Sequence, residues 1–190
     1  MRWYSYLPLA TLAGCAAIAA GGCARESSSA ATRDVGSVDQ RVVELFGGAE
    51  STGNILAPTK VEAFRVDGRP GERSQTSKPF YGYPIVGAPV QVDADTSEEL
   101  AEILMDANIY DWDLRKKCEF MPGVALRFTS AGSPTEVLFC FSCDELMVVR
   151  DGKKVGYEDF DPARGRLLTI VKRLFPEDEK IQQLKDEREG

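Results

Sequence analysis

The sequence predicts an α+β fold: a mainly antiparallel sheet of about four to five strands with two to three helices packed on one face, in a single domain. Three observations predict it. Strand-like segments late in the chain are joined by short turn signals, Ser130–Pro134 and Asp151-Gly152, which suit hairpins rather than helical crossovers. Apolar stripes of helical spacing flank them, at Leu100, Ile103, Leu104, Ala107 and at Leu167, Ile170, Val171, Leu174. The order of elements is α-β-β-α-β-β-β-α, without the strict alternation that a parallel sheet needs.

Each element has a local cause. Ser37 and Gln40 have capping-box spacing, Val42, Val43, Leu45 and Phe46 follow, and Gly47-Gly48 stop a short helix. Lys60–Asp67 reads as a strand ended by the Asp67-Gly68 turn. Residues 68–79 are rich in turn residues and charge and read as an exposed loop. Phe80–Asp93 contains two prolines, so it reads as an edge strand, broken or bulged at Gly87-Ala88-Pro89. Thr96 and Glu99 suggest a second capping box, opening the clearest helix, Thr96–Ala107. Val124, Leu126 and Phe128 alternate with Ala125, Arg127 and Thr129, the period of a strand. Thr135–Val149 reads as one long strand, with a short return strand through Val155 and Tyr157. Asp161-Pro162 starts the last helix and Pro176 stops it. The charged tail, 177–190, reads as a short solvated helix.

Composition narrows the function. The chain has 190 residues, 43% hydrophobic and 28% charged, enough for one packed core. Its net charge of -7 lacks the basic patch that nucleic acid requires, since Arg115-Lys116-Lys117 and Lys153-Lys154 are short and lie among acids. There is no histidine, which removes Ser-His-Asp and Cys-His dyads, HExxH zinc sites and His-ligated haem or copper. No glycine-rich phosphate loop occurs, and no cofactor is implied.

The N-terminus carries an address. Arg2 precedes an apolar run with no further charge until Arg25, the pattern of a secretory signal. Leu7–Ala20 is shorter than the roughly 20 apolar residues of a membrane-spanning helix. Leu12-Ala13-Gly14-Cys15 and Ala20-Gly21-Gly22-Cys23 both end small residues in a cysteine. Here the chain resembles bacterial lipoprotein signal peptides, whose lipobox ends in the cysteine that is lipidated. Cys15 has the better consensus. Cys23 has an h-region of normal length and is followed by a polar stretch, so the expected lipidation site is Cys23, with Cys15 as the alternative. The expected organisation is signal peptide 1–22, flexible tether 23–36, α+β domain 37–176 and charged tail 177–190. The implied partner is a membrane, cytoplasmic or outer, reached through the lipid, with the domain facing the periplasm or the exterior.

Three cysteines then remain, Cys118, Cys140 and Cys143. One pair and no histidine is a poor zinc set, and no metal site is expected. Cys140-x-x-Cys143 lies between β-like flanks rather than at a helix N-terminus, so the thiol activation of a thioredoxin-type site is missing. With Ser130–Pro134 as the turn, residue 126 pairs with 138, 124 with 140 and 121 with 143. Cys140 then falls opposite Val124 as a buried thiol, and Cys143 comes within bridging reach of Cys118. The register could slip by one or two residues, which would exchange the roles of Cys140 and Cys143. Ser142–Glu145 breaks the apolar run, as a bulge or a bend.

Residues 118–146 resemble a group of uncharacterised exported bacterial proteins that share a Cys-x-Phe-x-Pro-Gly segment, an Arg-Phe strand and a Cys-Phe-x-Cys strand. The matching residues here are Cys118–Gly123, Arg127-Phe128 and Cys140–Cys143. The resemblance implies that the cysteines and Arg127 belong together, and implies no activity. Two aromatic clusters complete the candidates. Phe80–Pro84 is a possible binding patch that is read first as strand rings packing inward. Asp111 and Asp113, beside Tyr110 and Trp112, could serve a carboxylate hydrolase, but are read first as solvated acids beside capping aromatics. The sequence therefore points to a non-enzymatic, lipid-anchored envelope protein of binding or structural type. Its alternative is a thiol-redox or metal-handling protein using Cys118, Cys140 and Cys143.

Overall fold

A computed structural model describes residues 34–69, 79–114, 116–130 and 132–186. The chain enters through two short helices, α1 (Gln40–Leu45) and α2 (Ala49–Leu56). Ser37 does not cap α1: its hydroxyl donates to the Asp34 carbonyl, and Asp39 is the cap, accepting from the Arg41 N–H at 2.8 Å. Helix α2, which the punctuated sequence conceals, buries Ile55 together with the polar Ser51, Thr52 and Asn54. Asn54 is satisfied across the fold, donating to the Ser133 carbonyl at 2.8 Å, so its burial costs little.

Six strands follow: β1 (Lys60–Val66), β2 (Ile85–Gln91), β3 (Val124–Thr129), β4 (Thr135–Cys140), β5 (Glu145–Arg150) and β6 (Lys153–Asp159). They form one antiparallel sheet in the order β2-β1-β3-β4-β5-β6. The expected fold class stands, with more strands than expected. The run 135–149 is a hairpin, not one long strand. Both of its arms are almost entirely buried, and two buried arms read as a single apolar stretch. The break at Ser142–Glu145 falls at the turn between them, residues 141–144, with Asp144 at a φ of 55° and Glu145 opening β5. Strand β2 lies at the edge, as the prolines of Phe80–Asp93 predict, and its register with β1 shifts opposite Gly87–Pro89. Phe80–Tyr83 lies outside that strand, in a short 3-10 segment that runs through left-handed backbone.

Helix α3 (Ala94–Leu104) starts two residues before the expected box. Asp93 is its cap, with one carboxylate oxygen accepting from the Thr96 N–H at 2.7 Å and the other from the Thr96 hydroxyl at 3.0 Å. Helix α4 (Arg164–Leu174) follows a 3-10 turn over Asp161–Ala163, and α5 (Glu179–Gln182) is capped by Asp178. The stripes of α3 and α4 pack with α1 and α2 on one face of the sheet, against Val61, Leu126, Phe128, Val137, Phe139 and Val148. The opposite face, called here the far face, carries Phe64, Val66, Ala125, Leu138, Met147 and Val149 under Phe80 and Tyr83.

Gly156 marks the closest approach between layers. A Cβ there would stand 1.7 Å from the Leu45 carbonyl oxygen at the end of α1. Gly156→Ala must displace backbone, so it should cost about 3 kcal/mol, the upper end for overpacking. Gly53→Ala meets nothing within 4 Å and should stabilise α2 by roughly 0.5–1 kcal/mol through helix propensity. Urea denaturation of both variants checks the pair, and equal effects would contradict it.

Asp178 links α5 to the sheet. Arg65 Nε donates to its carboxylate at 2.6 Å, and the Ile181 N–H donates at 3.0 Å. Burial pushes this carboxyl up, but the Arg65 bond and the Ile181 N–H outweigh it and hold its pKa below the ordinary value. A lowered folded pKa means that the stabilisation is fully present above the unfolded value, about 3.9, and is lost as pH falls through the folded value. The stability gap between wild type and Asp178→Asn should therefore be constant above about pH 5 and shrink towards pH 2. A gap that does not shrink in denaturation at those pH values would rule out the ion-pair account.

Candidate functional site

Charged and aromatic groups converge on the far face. Arg127 of β3 and Glu136 of β4 are direct cross-strand partners. Arg127 donates to Glu136 Oε1 through Nε at 3.0 Å and Nη2 at 2.7 Å. The other carboxylate oxygen accepts the Phe80 N–H at 2.7 Å. The Arg127 guanidinium also lies over the rings of Phe64 and Phe80, at 5.0 and 4.7 Å. This clamp explains an unusual backbone. Phe80, Tyr81 and Gly82 have φ values of 53°, 55° and 84°. Left-handed backbone at bulky residues costs about 1–3 kcal/mol each and persists only where the surroundings impose it. The charge-assisted bond and the complete burial of Phe80 supply the compensation.

The second component is the 14-residue connection from Tyr110 to Gly123, which has no helix or strand among its described residues. It passes from one core to the other. Tyr110 is buried among the helices, and its hydroxyl donates to the Leu104 carbonyl at 2.8 Å. Trp112 donates to the Ala107 carbonyl at 3.0 Å under the Arg41 guanidinium. Phe120 instead packs on the far face, edge-on to Tyr83 and Tyr157 at 6.4 and 5.4 Å. This strap is pinned twice. Lys116 Nζ donates to Asp161 at 2.6 Å and to the Cys143 carbonyl at 2.7 Å, and pairs with Asp159. Burial alone would lower the Lys116 pKa, but the two carboxylates raise it, so the lysine stays charged. The second pin is covalent: Cys118 and Cys143 form a disulfide with Cα atoms 6.0 Å apart.

The turn beneath the strap is held from the helical side. Arg164, 8% exposed, pairs with Asp144 and donates to the Phe141 carbonyl at 2.6 Å. Its remaining donors reach the carbonyls of Lys185 and Asp186, each at 2.7 Å, which fixes the tail against the same turn. Cys140 is free and fully buried. Its sulfur accepts the Met121 N–H at 3.4 Å and lies 3.1 Å from the Ser142 hydroxyl. Next to it the Tyr157 hydroxyl donates to the buried Glu145 carboxylate at 2.5 Å. Burial and this bond both raise the Tyr157 pKa, so it remains a protonated donor.

The residues singled out in the sequence fall as follows. Cys15 and Cys23 lie outside the described residues. Cys118, Cys140 and Cys143 meet at one place, but in a different register from the expected one. Leu126 pairs with Val137 and Val124 with Phe139, one residue away from the expected pairing. A one-residue shift reverses the faces, so Cys140 lies on the far face and not beside Val124 in the helical core. The cysteine roles do not exchange, because Cys143 sits in the turn, outside the ladder. Asp111 and Asp113 are both exposed. They do not line the open polar cleft of about 630 Å³ near Arg65, Asp67 and Asp178. Among the described residues, no three His, Cys, Asp or Glu side chains are grouped to hold a metal ion. Sequence reasoning missed Lys116, Glu136 and Arg164, and marked Glu145 only as part of the Ser142–Glu145 break. The available signal was a charge inside or beside an apolar run, as in Glu136 and Asp144-Glu145.

Compared with known proteins, the chain matches no protein-family model, no curated protein and no solved structure.

The clamp makes a quantitative prediction. Glu136→Ala strands a largely buried guanidinium and the Phe80 N–H, and should cost about 3 kcal/mol. Glu136→Gln keeps an acceptor and should cost about 1–2 kcal/mol. Equal losses in chemical denaturation would show that charge alone matters and that the bond to Phe80 does not.

Proposed function

We propose that the chain is an exported, lipid-anchored cell-envelope protein, and that its folded domain is a binding module whose contact surface is the far face. The observation that carries this reading is the Cys118–Cys143 disulfide that pins the strap beside that face. Disulfides persist in oxidising compartments, which agrees with the signal-like N-terminus and its lipobox at Cys23. Two acyl chains at Cys23 would anchor the domain stably, at about 0.8 kcal/mol per buried CH₂. Among the described residues no helix is long and apolar enough to cross a membrane.

The far face has the composition of a contact surface. Tyr81, Phe120 and Tyr157 are half-buried, Met121 is 42% exposed, and Lys154 reaches over the Tyr157 ring. Aromatic residues and methionine are enriched in recognition surfaces. The clamp and the strap hold these rings in place before any partner arrives, which lowers the ordering cost of binding.

Mass analysis of the mature N-terminus should find acyl chains on Cys23, and Cys23→Ser should move the protein from the membrane to the soluble fraction. Lipid on Cys15, or none, would overturn the anchor. A folded Phe120→Ser, Tyr157→Ser double variant should reproduce the phenotype of deleting the gene in the native host. Full complementation by that variant would overturn the far-face assignment.

A further inference from the structure

The sulfur atoms are arranged asymmetrically, in a way that a structural bridge does not require. Cys118 is exposed, whereas Cys143 and Cys140 have no exposed surface. All three sulfurs contact one short segment, 118–121. Cys118 Sγ lies 3.7 Å and Cys143 Sγ 3.3 Å from the Glu119 carbonyl, and Cys140 Sγ accepts the Met121 N–H. The bridge therefore joins an exposed residue to a fully buried one, and the Cys118 end is the one an external thiol can approach.

We propose that the Cys118–Cys143 bridge is a thiol-exchange site, entered by an external aliphatic thiolate at Cys118, whose opening releases the strap from the far face. The inference is independent of lipidation and goes beyond the binding role. Attack on a disulfide runs through a mixed disulfide, and access decides which sulfur is attacked. The incoming thiolate forms a bond to Cys118 Sγ. The S–S bond breaks, and its electron pair leaves with Cys143 Sγ. That thiolate takes a proton from water and, as a thiol, finds the Glu119 carbonyl ready to accept from it at the present 3.3 Å. With a monothiol, Cys143 can attack back, restore the bridge and expel the thiolate. With a dithiol, the second thiol, as thiolate, attacks the reagent sulfur of the mixed disulfide. The bond from that sulfur to Cys118 Sγ breaks with its electron pair on Cys118, which takes a proton from water. The reagent leaves as its own disulfide while the protein keeps two thiols in place of the bridge. Two electrons move from dithiol to protein, and no other reactant is needed.

Lys116 positions the leaving sulfur and does not activate it. Its ammonium rests on the Cys143 carbonyl but is neutralised by Asp159 and Asp161. Cys140 stands apart from the step. It lies across a turn from Cys143, whose N–H donates to the Cys140 carbonyl at 3.3 Å, but no external thiol reaches it. Without the bridge, Phe120 and Met121 are held only by ring contacts and single hydrogen bonds, while β4 and β5 keep their full ladder.

The test uses the full chain in detergent without denaturant. Reduced glutathione is the monothiol and dithiothreitol the dithiol, followed by acid quench, alkylation and peptide mapping. Glutathione should be found on Cys118 and the alkyl group on Cys143, with no glutathione on Cys140. Dithiothreitol should leave alkyl groups on both Cys118 and Cys143. Amide hydrogen exchange should then rise at 117–121, by tenfold or more, with β4 and β5 unchanged. Cys140→Ser should give the same maps, and Cys118→Ser should show the raised exchange without any thiol. The proposal is overturned by glutathione on Cys143, by a wild-type Cys140–Cys143 bridge, by a bridge that reacts only after urea unfolding, or by strap protection that survives reduction.

Discussion

The register of β3 against β4 sets the rest of the molecule. With Leu126 opposite Val137, the even residues of β3 and the odd residues of β4 enter the helical core. The alternate set faces away, and it includes Arg127, Glu136 and Cys140. Because side chains alternate with a period of two, any one-residue slip would bury Arg127 among the helices and expose Phe128. The Arg127–Glu136 pair penalises that slip twice, through its lost partner and through the desolvated charge. The same pair seats Phe80, so the register also determines how the far face is covered.

Buried charge elsewhere works by the same logic. Arg164 satisfies carbonyls from the β4–β5 turn and from the tail, and Lys116 joins the strap to the end of β6. Buried ion pairs contribute little net stability against apolar replacements, but breaking one is costly. Their effect is to make a single arrangement of loops much better than its alternatives. This sheet depends on such cross-links to fix the three irregular segments that meet at one end of it: the strap, the turn and the tail.

The proposed binding surface and the proposed exchange site are therefore one device seen from two sides. The clamp holds Phe80–Tyr83 from below, and the disulfide holds Phe120 and Met121 from the side. Between them stand the half-buried rings that would contact a partner. Opening the bridge would change the covering of the far face, because Phe120, two residues from Cys118, packs there against Tyr83 and Tyr157.

Local patterns carried much of the fold. Alternation identified β3, turn residues identified the β5–β6 hairpin, the prolines marked β2 as an edge, and the stripes of α3 and α4 identified the helical face. Each of these depends on neighbours within about one turn or one pleat, so a single sequence displays it. The cysteine candidates and Arg127 were also legible, as sulfur and charge inside apolar runs. Other features were decided by tertiary structure. Two buried arms with a four-residue break look like one strand until a partner strand shows where the chain reverses. The left-handed Phe80 and Tyr81 have no local signature, because Glu136, 56 residues away in sequence, imposes their conformation. Lys116 and Arg164 read as ordinary surface charges, since their carboxylate and carbonyl partners come from distant loops. What the sequence determined by itself was where most strands and helices lie, though not α2, the β4–β5 reversal or the 3-10 segment at Phe80, and which face of α3 and α4 is apolar. What only the tertiary structure decided was the register, the pairing of buried charges and the covering of the far face, because each depends on contacts between residues far apart in the chain.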